Sequence, residues 1–224
     1  VKSCTVSQTK TGKYYVSTLT EYEHQPVQKE VQAVVGLDFS MNGLFVDSEE
    51  GKTANYPRFY RQSLGKLAKE QRILSRRKKG SNRWHKQRLK VAKLHERIAN
   101  QRKDFLHKES HKLAKMYDCV VIEDLNMKGM SQALHFGKSV ADHAWGMFTT
   151  FLQYKLEEQG KKLIKIDKWF PSSKTCSCCG RVKESLSLSE RTFHCECGFV
   201  ADRDWNASIN IKHEGLRWLA SSDR

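Results

Sequence analysis

The sequence predicts an α/β protein: a mixed sheet interrupted by a basic helical hairpin and closed by a small metal-stapled module. Three observations carry this. Two short apolar runs, AVVGLDFS (33–40) and CVVIE (119–123), read as strands, and each ends at an acid. Between them, residues 59–115 change to a helical period. Four cysteines then follow in two tight pairs, Cys176-x-x-Cys179 and Cys195-x-Cys197, each with a trailing glycine.

The 224 residues suffice for one core plus an insert or small module, and the net charge is +15. That charge is localised. Residues 59–115 hold nineteen Lys or Arg against four Asp or Glu, whereas the remainder carries twenty-one of each sign. A basic excess confined to one segment is the electrostatic footprint of nucleic-acid binding. No run of eighteen apolar residues occurs, which argues against a helical membrane span.

The opening stretch reads as a hairpin: Val6, Tyr14, Val16 and Leu19 alternate around a turn at Lys10–Lys13. Two strands alone are marginal in water. Either the hairpin packs on the downstream domain, or it is the tail of a β-domain whose front half lies outside this chain; the second is the favoured expectation. Glu21–Val31, with Pro26, reads as a linker. After the first apolar strand, Asn42-Gly43 gives a hairpin signal, LFVDS (44–48) the return strand, and Thr53–Tyr56 a short third strand. Such a meander opens an RNase H-like fold, although a lone Asp after a strand is more often a turn residue.

In 59–115, Tyr60, Leu64, Leu67 and Leu74 recur at helical spacing, as do Val91, Leu94, Ile98 and Phe105 beyond the break at Gly80-Ser81-Asn82. The expectation is two antiparallel helices with a narrow apolar seam. A solvated charged face usually interleaves both signs. Here Arg76, Arg77, Lys78, Lys79, Arg83, Lys86, Arg88 and Lys90 lie in a run without an acid, and are the candidate nucleic-acid contacts. Trp84 fits either base stacking or a helix anchor.

CVVIE suits a central parallel strand. Asn126–Gly137 reads as a polar loop, Ala144–Gln159 as an amphipathic helix capped by Gly160, Lys162–Asp167 as a strand, and Trp205–Leu219 as a helix with Asp202 or Asp204 at its start.

The cysteine spacing is that of a zinc ribbon, with Cys176, Cys179, Cys195 and Cys197 as thiolate ligands to Zn²⁺. Cys178 could replace a neighbour, and His194 could replace Cys195. Cys4 and Cys119 read as packing residues. Asp38, Glu123 and Asp204, far apart in sequence, can converge at strand ends and a helix start. Hard oxygen ligands of this kind hold Mg²⁺ or Mn²⁺ and suit phosphodiester hydrolysis.

The stretches GLDFS, VIEDLN, KWFPSSKTCSCCG and CECGFVADRDWNASINI resemble the C-terminal half of TnpB proteins, transposon-encoded RNA-guided DNA endonucleases related to type V CRISPR effectors. The resemblance spans about residues 1–215. It implies a RuvC-like nuclease of RNase H fold, with Asp38, Glu123 and Asp204 as catalytic acids and a zinc ribbon before the last. It also implies guide RNA and target DNA as partners and a bacterial, nucleoid-associated location in the cytoplasm. Asp202 is then a capping residue, and Asn206 a support for the metal site. The implied organisation is a wedge-domain remnant and linker (1–30), RuvC-like parts at 31–58, 116–170 and 201–224, the basic hairpin at 59–115 and the ribbon at 171–200. The second knuckle departs from the family's usual C-x-x-C, and family members are usually much longer. Two other functions fit the same residues: a non-catalytic nucleic-acid-binding fragment, and a guide-independent RNase H-fold transposase or resolvase.

Overall fold

The structure, a computed structural model, describes residues 1–27, 30–41, 43–127, 144–187 and 189–222. The chain divides into two compact units, Val1–Gln25 with Arg58–Phe105, and Pro26–Pro57 with Leu106–Arg224.

In the first unit, β1 (Ser3–Gln8) and β2 (Tyr14–Leu19) form an antiparallel hairpin exposed along both strands. Its turn is closed by Thr9 and Lys13, with Gly12 at a φ of 88° that favours glycine. The turn rests on the helices, for Thr11 Oγ1 donates to Glu96 at 3.1 Å and Lys13 pairs with the same carboxylate at 3.3 Å. Cys4 is exposed rather than packed, because neither face of this two-stranded ribbon is covered. Helices α1 (Phe59–Ser75) and α2 (Asn82–Met116) are the expected pair. They run antiparallel: Phe59 meets Phe105 at one end of the seam, and Gln87 Nε2 donates to the Glu70 carbonyl and carboxylate at the other. Leu67, Val91 and Ile98 fill the seam, but Leu64 is partly exposed.

The second unit is built on a four-stranded sheet of order β4-β3-β5-β6: β3 (Val34–Phe39), β4 (Phe45–Asp47), β5 (Cys119–Glu123) and β6 (Lys162–Ile166). β3–β5 and β5–β6 are parallel, while β4 runs antiparallel to β3. The near-continuous apolar β3 and β5 are the central strands, as continuous runs covered on both faces should be. Thr53 makes only an isolated bridge to Val46, so the expected third strand at Thr53–Tyr56 does not form. Asn42 and most of the expected loop at Asn126–Gly137 lie outside the described residues. Helix α3 (Trp145–Glu157) buries Trp145, Phe148, Leu152 and Leu156, and Gly160 ends it with a positive φ.

A second small sheet pairs β7 (Thr192–His194) with β8 (Val200–Asp202), leading into α4 (Arg203–Ser222). This helix crosses β3 at very short range. A Cβ on Gly36 would lie 2.2 Å from the Ser208 carbonyl oxygen and 2.6 Å from the Lys212 backbone nitrogen. Gly215 likewise admits the Val121 side chain. Cys119, Val121, Ile166 and Ile211 form one buried cluster between sheet and helix. No described helix is long and apolar enough to cross a membrane.

Candidate functional site

The parallel pairing Leu37↔Ile122 fixes the next residues of the two strands, Asp38 and Glu123, at one level of the sheet. Asp204 lies in the first turn of α4, one turn before Ser208 meets Gly36. Asp38 feels the charges of both other acids. Burial, then the charges of Glu123 and Asp204, push the Asp38 carboxyl well above the ordinary carboxylate range; Arg203 opposes them. Burial also raises Glu123, against a hydrogen bond from Ser172 Oγ to its Oε1 at 2.5 Å. Arg203 donates to Asp204 Oδ1 from Nε at 3.2 Å and from its terminal nitrogen at 3.1 Å. Arg203 and Arg191 both pair with Asp204, while burial makes the charges on Asp38 and Glu123 costly unless a further cation joins them. Their oxygen-only chemistry fits a hard divalent ion.

Asp202 stands apart from this cluster as the N-cap of α4. Its Oδ1 accepts from the backbone amides of Asp204 at 2.9 Å and Trp205 at 3.0 Å, the capping role expected of it. Asn206 takes a different role from the expected metal-site support. It is fully buried, accepts from the Ser177 amide at 3.0 Å and donates to the Thr175 carbonyl at 2.7 Å. One turn on, Asn210 donates to the carbonyls of Ser172 and Thr175, at 2.8 and 2.7 Å. Two amides on one face of α4 therefore hold the chain leading into the first cysteine knuckle, and through Ser172 that chain reaches Glu123. Ser172 and Asn210 were assigned no role from sequence. An i, i+4 pair of asparagines was the available signal for the helix face, but nothing named their partners.

The four sulfurs of Cys176, Cys179, Cys195 and Cys197 lie within 4.8 Å of one another. Cys176 and Cys197 are 3.8 Å apart, and Cys179 and Cys195 are 3.6 Å apart. A tetrahedral ion with metal–sulfur bonds of about 2.3 Å needs sulfurs about 3.8 Å apart. The cluster fits Zn²⁺ as it stands, and its members are the four expected cysteines. The Cys197 amide, donating to its sulfur, is the main influence lowering the Cys195 thiol to about 7. Buried Cys119 is the inert thiol expected, pushed up to about 11 chiefly by burial.

Arg76, Arg77, Lys78 and Lys79 occupy the connection between α1 and α2, and Arg83, Lys86, Arg88 and Lys90 the first turns of α2. All eight are exposed. Arg88 lies over the Trp84 ring at 5.6 Å, so this half-buried indole already has a cationic neighbour.

Comparison with known proteins identifies the family. A family model described as a probable transposase, OrfB_IS605, matches residues 17–134, more than half of the chain, and a Cas12f1-like TNB domain model matches residues 145–211. A Streptomyces pristinaespiralis protein named "Putative RNA-guided DNA endonuclease" is 41% identical over 219 residues, 98% of this chain and 54% of that protein. A TnpB-like protein of Acanthamoeba polyphaga mimivirus, L79, is 35% identical over 150 residues, 64% of this chain and 27% of that one. The chain belongs to the TnpB family. Its mixed α/β fold is that of Cas12f1 in a complex with sgRNA and target DNA, with a TM-score of 0.61 at 17% identity over 91% of this TnpB chain and 53% of the other. This TnpB chain thus spans about half the length of the Streptomyces relative.

Proposed function

We propose that this chain is the nuclease half of a transposon's RNA-guided DNA endonuclease, hydrolysing DNA phosphodiesters in a RuvC-like site of RNase H fold. The convergence of Asp38, Glu123 and Asp204, with the raised Asp38 as its electrostatic signature, carries this reading. The three acids would hold Mg²⁺ or Mn²⁺, which supplies water activation and stabilisation of the leaving oxygen when bound. The protein's own part is positional. Ser172 orients Glu123, the Asp202 cap and the close crossing at Gly36 aim Asp204, and Arg203 tempers the charge. Zn²⁺ on the four cysteines would be structural.

Guide RNA and target DNA are the partners this reading requires, with the basic residues from Arg76 to Lys90 gripping the phosphate backbone and base pairing supplying sequence choice. The exposed β1–β2 hairpin is read as the end of a wedge β-domain, and the segments between as RuvC-like parts separated by the basic hairpin and the ribbon. Family membership and the names of the relatives support the assignment. The test is metal-dependent cleavage of labelled single-stranded DNA, repeated with guide RNA and the remaining length of a full-size relative restored. Wild type should cut, and Asp38→Ala or Glu123→Ala should not, while both still bind nucleic acid. Equal cutting by all three would remove the acids from the reaction.

A further inference from the structure

Tryptophan carries a large apolar surface and is highly buried on average, yet Trp169 is 81% exposed. The other four indoles are better covered: Trp145 is buried in the sheet core, Trp205 donates to the Ser48 carbonyl, Trp84 is half-buried, and Trp218 donates to Glu214. Nor does Trp169 sit on a loose tip. Asp167 Oδ1 accepts its backbone amide at 2.7 Å, and the Asp167 carbonyl accepts that of Phe170. Phe170 packs against the buried Val121–Ile166–Ile211 cluster, and Ser172 bonds Glu123. A rigid turn therefore projects a bare indole three residues from the partner of a candidate catalytic acid.

One cation lies over it. Lys168 Nζ lies 5.3 Å from the indole centroid. Lys168 also lines a groove of about 250 Å³ with Lys165, Asp124, Asp167 and Trp218, two cations against two carboxylates, and Asp124 adjoins Glu123. The Asp167 carboxylate accepts the loop's own amide, and Lys168 is the cation at the indole itself. An exposed aromatic ring with a cation over one face, on a hydrogen-bonded turn, is an arrangement that stacks an unpaired base on the other face without reading its identity.

We infer that Trp169, with Lys168, is a stacking platform for one unpaired base of single-stranded DNA, on the turn that leads to Ser172, the partner of Glu123. It would fix the strand so that a neighbouring phosphate faces the acids. This rests on the nuclease reading for its substrate, but its test does not involve cleavage.

The experiment measures binding of the metal-replete ribbon protein, without Mg²⁺, to short oligothymidine and to an abasic strand of equal length and charge. Contacts to phosphate cancel in that ratio. Wild type is expected to prefer the strand with bases about tenfold, Trp169→Phe to keep most of the preference, and Trp169→Ala to lose it. Salt dependence and melting temperature should stay the same in all three. An undiminished preference in Trp169→Ala overturns the inference, and so does a Trp169-dependent preference seen with oligouridine but absent with oligothymidine. Failure of wild type to cut DNA would count against the nuclease reading alone.

Discussion

Asp38 shows how much one carboxylate can reveal. Its folded-state pKa is raised by burial and by Glu123 and Asp204, and burial raises Glu123 as well. Acids raised in this way favour folding below the unfolded value, about 4. That contribution is lost as pH climbs through the raised folded values. Across the pH range in which the thiolates hold zinc, the acids' contribution to the melting temperature of Mg²⁺-free protein should therefore decline as pH rises. Asp38→Asn should flatten the decline and raise the melting temperature at pH 8. Calorimetry in a pH series reads this directly, and an unchanged profile would mean the carboxylates do not repel. Ser172→Ala removes the hydroxyl that orients Glu123. Cleavage by the complete assembly should fall about tenfold, the equivalent of a hydrogen bond to a charged group, with Ser172→Thr retaining more activity than alanine. Equal rates in wild type and Ser172→Ala would show that Glu123 needs no such partner.

Acids at strand ends and at a helix start are legible in the sequence pattern, but the choice among them, Asp204 over Asp202 above all, comes from the family resemblance. Asn206 is not legible in this way. Its partners, Thr175 and Ser177, lie about thirty residues away, and an amide's partner is set by packing rather than spacing. Gly36 carried a usable signal, since an isolated glycine inside an apolar strand marks a close backbone approach. Cys4 departs from the packing residue expected because an apolar, alternating strand says nothing of whether anything covers it.

At the level of elements, the ribbon and α4 are one construction. Asn206 and Asn210 tie the first knuckle to the helix that carries Asp204, and Ser172 continues the connection to Glu123. Stripping zinc should lower the melting temperature, since a structural ion contributes folding energy directly, and should reduce cleavage though the ion touches no substrate. Unchanged melting and rate after verified zinc loss would separate the two sites. Gly36→Ala tests the crossing from the other side. The new Cβ would meet backbone on α4 rather than a yielding side chain, so the cost should reach about 3 kcal/mol in urea unfolding. A loss below about 0.5 kcal/mol would mean that the helix can withdraw at little cost.

For the whole molecule, charge and chemistry are divided between units. The three acids and the four clustered cysteines belong to one compact unit, and the residues from Arg76 to Lys90 to the other. Sequence made that division visible through a localised basic excess. It could not supply the relation of the exposed β1–β2 hairpin to the rest, because that depends on what covers it. Replacing Arg76, Arg77, Lys78 and Lys79 with glutamine should weaken single-strand binding and reduce the slope of log affinity against log salt by up to about 3. A slope equal to that of wild type would locate the phosphate contacts elsewhere.

The central claim is that Asp38, Glu123 and Asp204 form one divalent-ion site. Mn²⁺ binding to the zinc-loaded chain, followed by electron paramagnetic resonance, tests it without guide, target or turnover. Saturable binding by wild type that is lost in Asp38→Ala, in Glu123→Ala and in Asp204→Ala is the expected result. Binding that survives all three substitutions unchanged would contradict it.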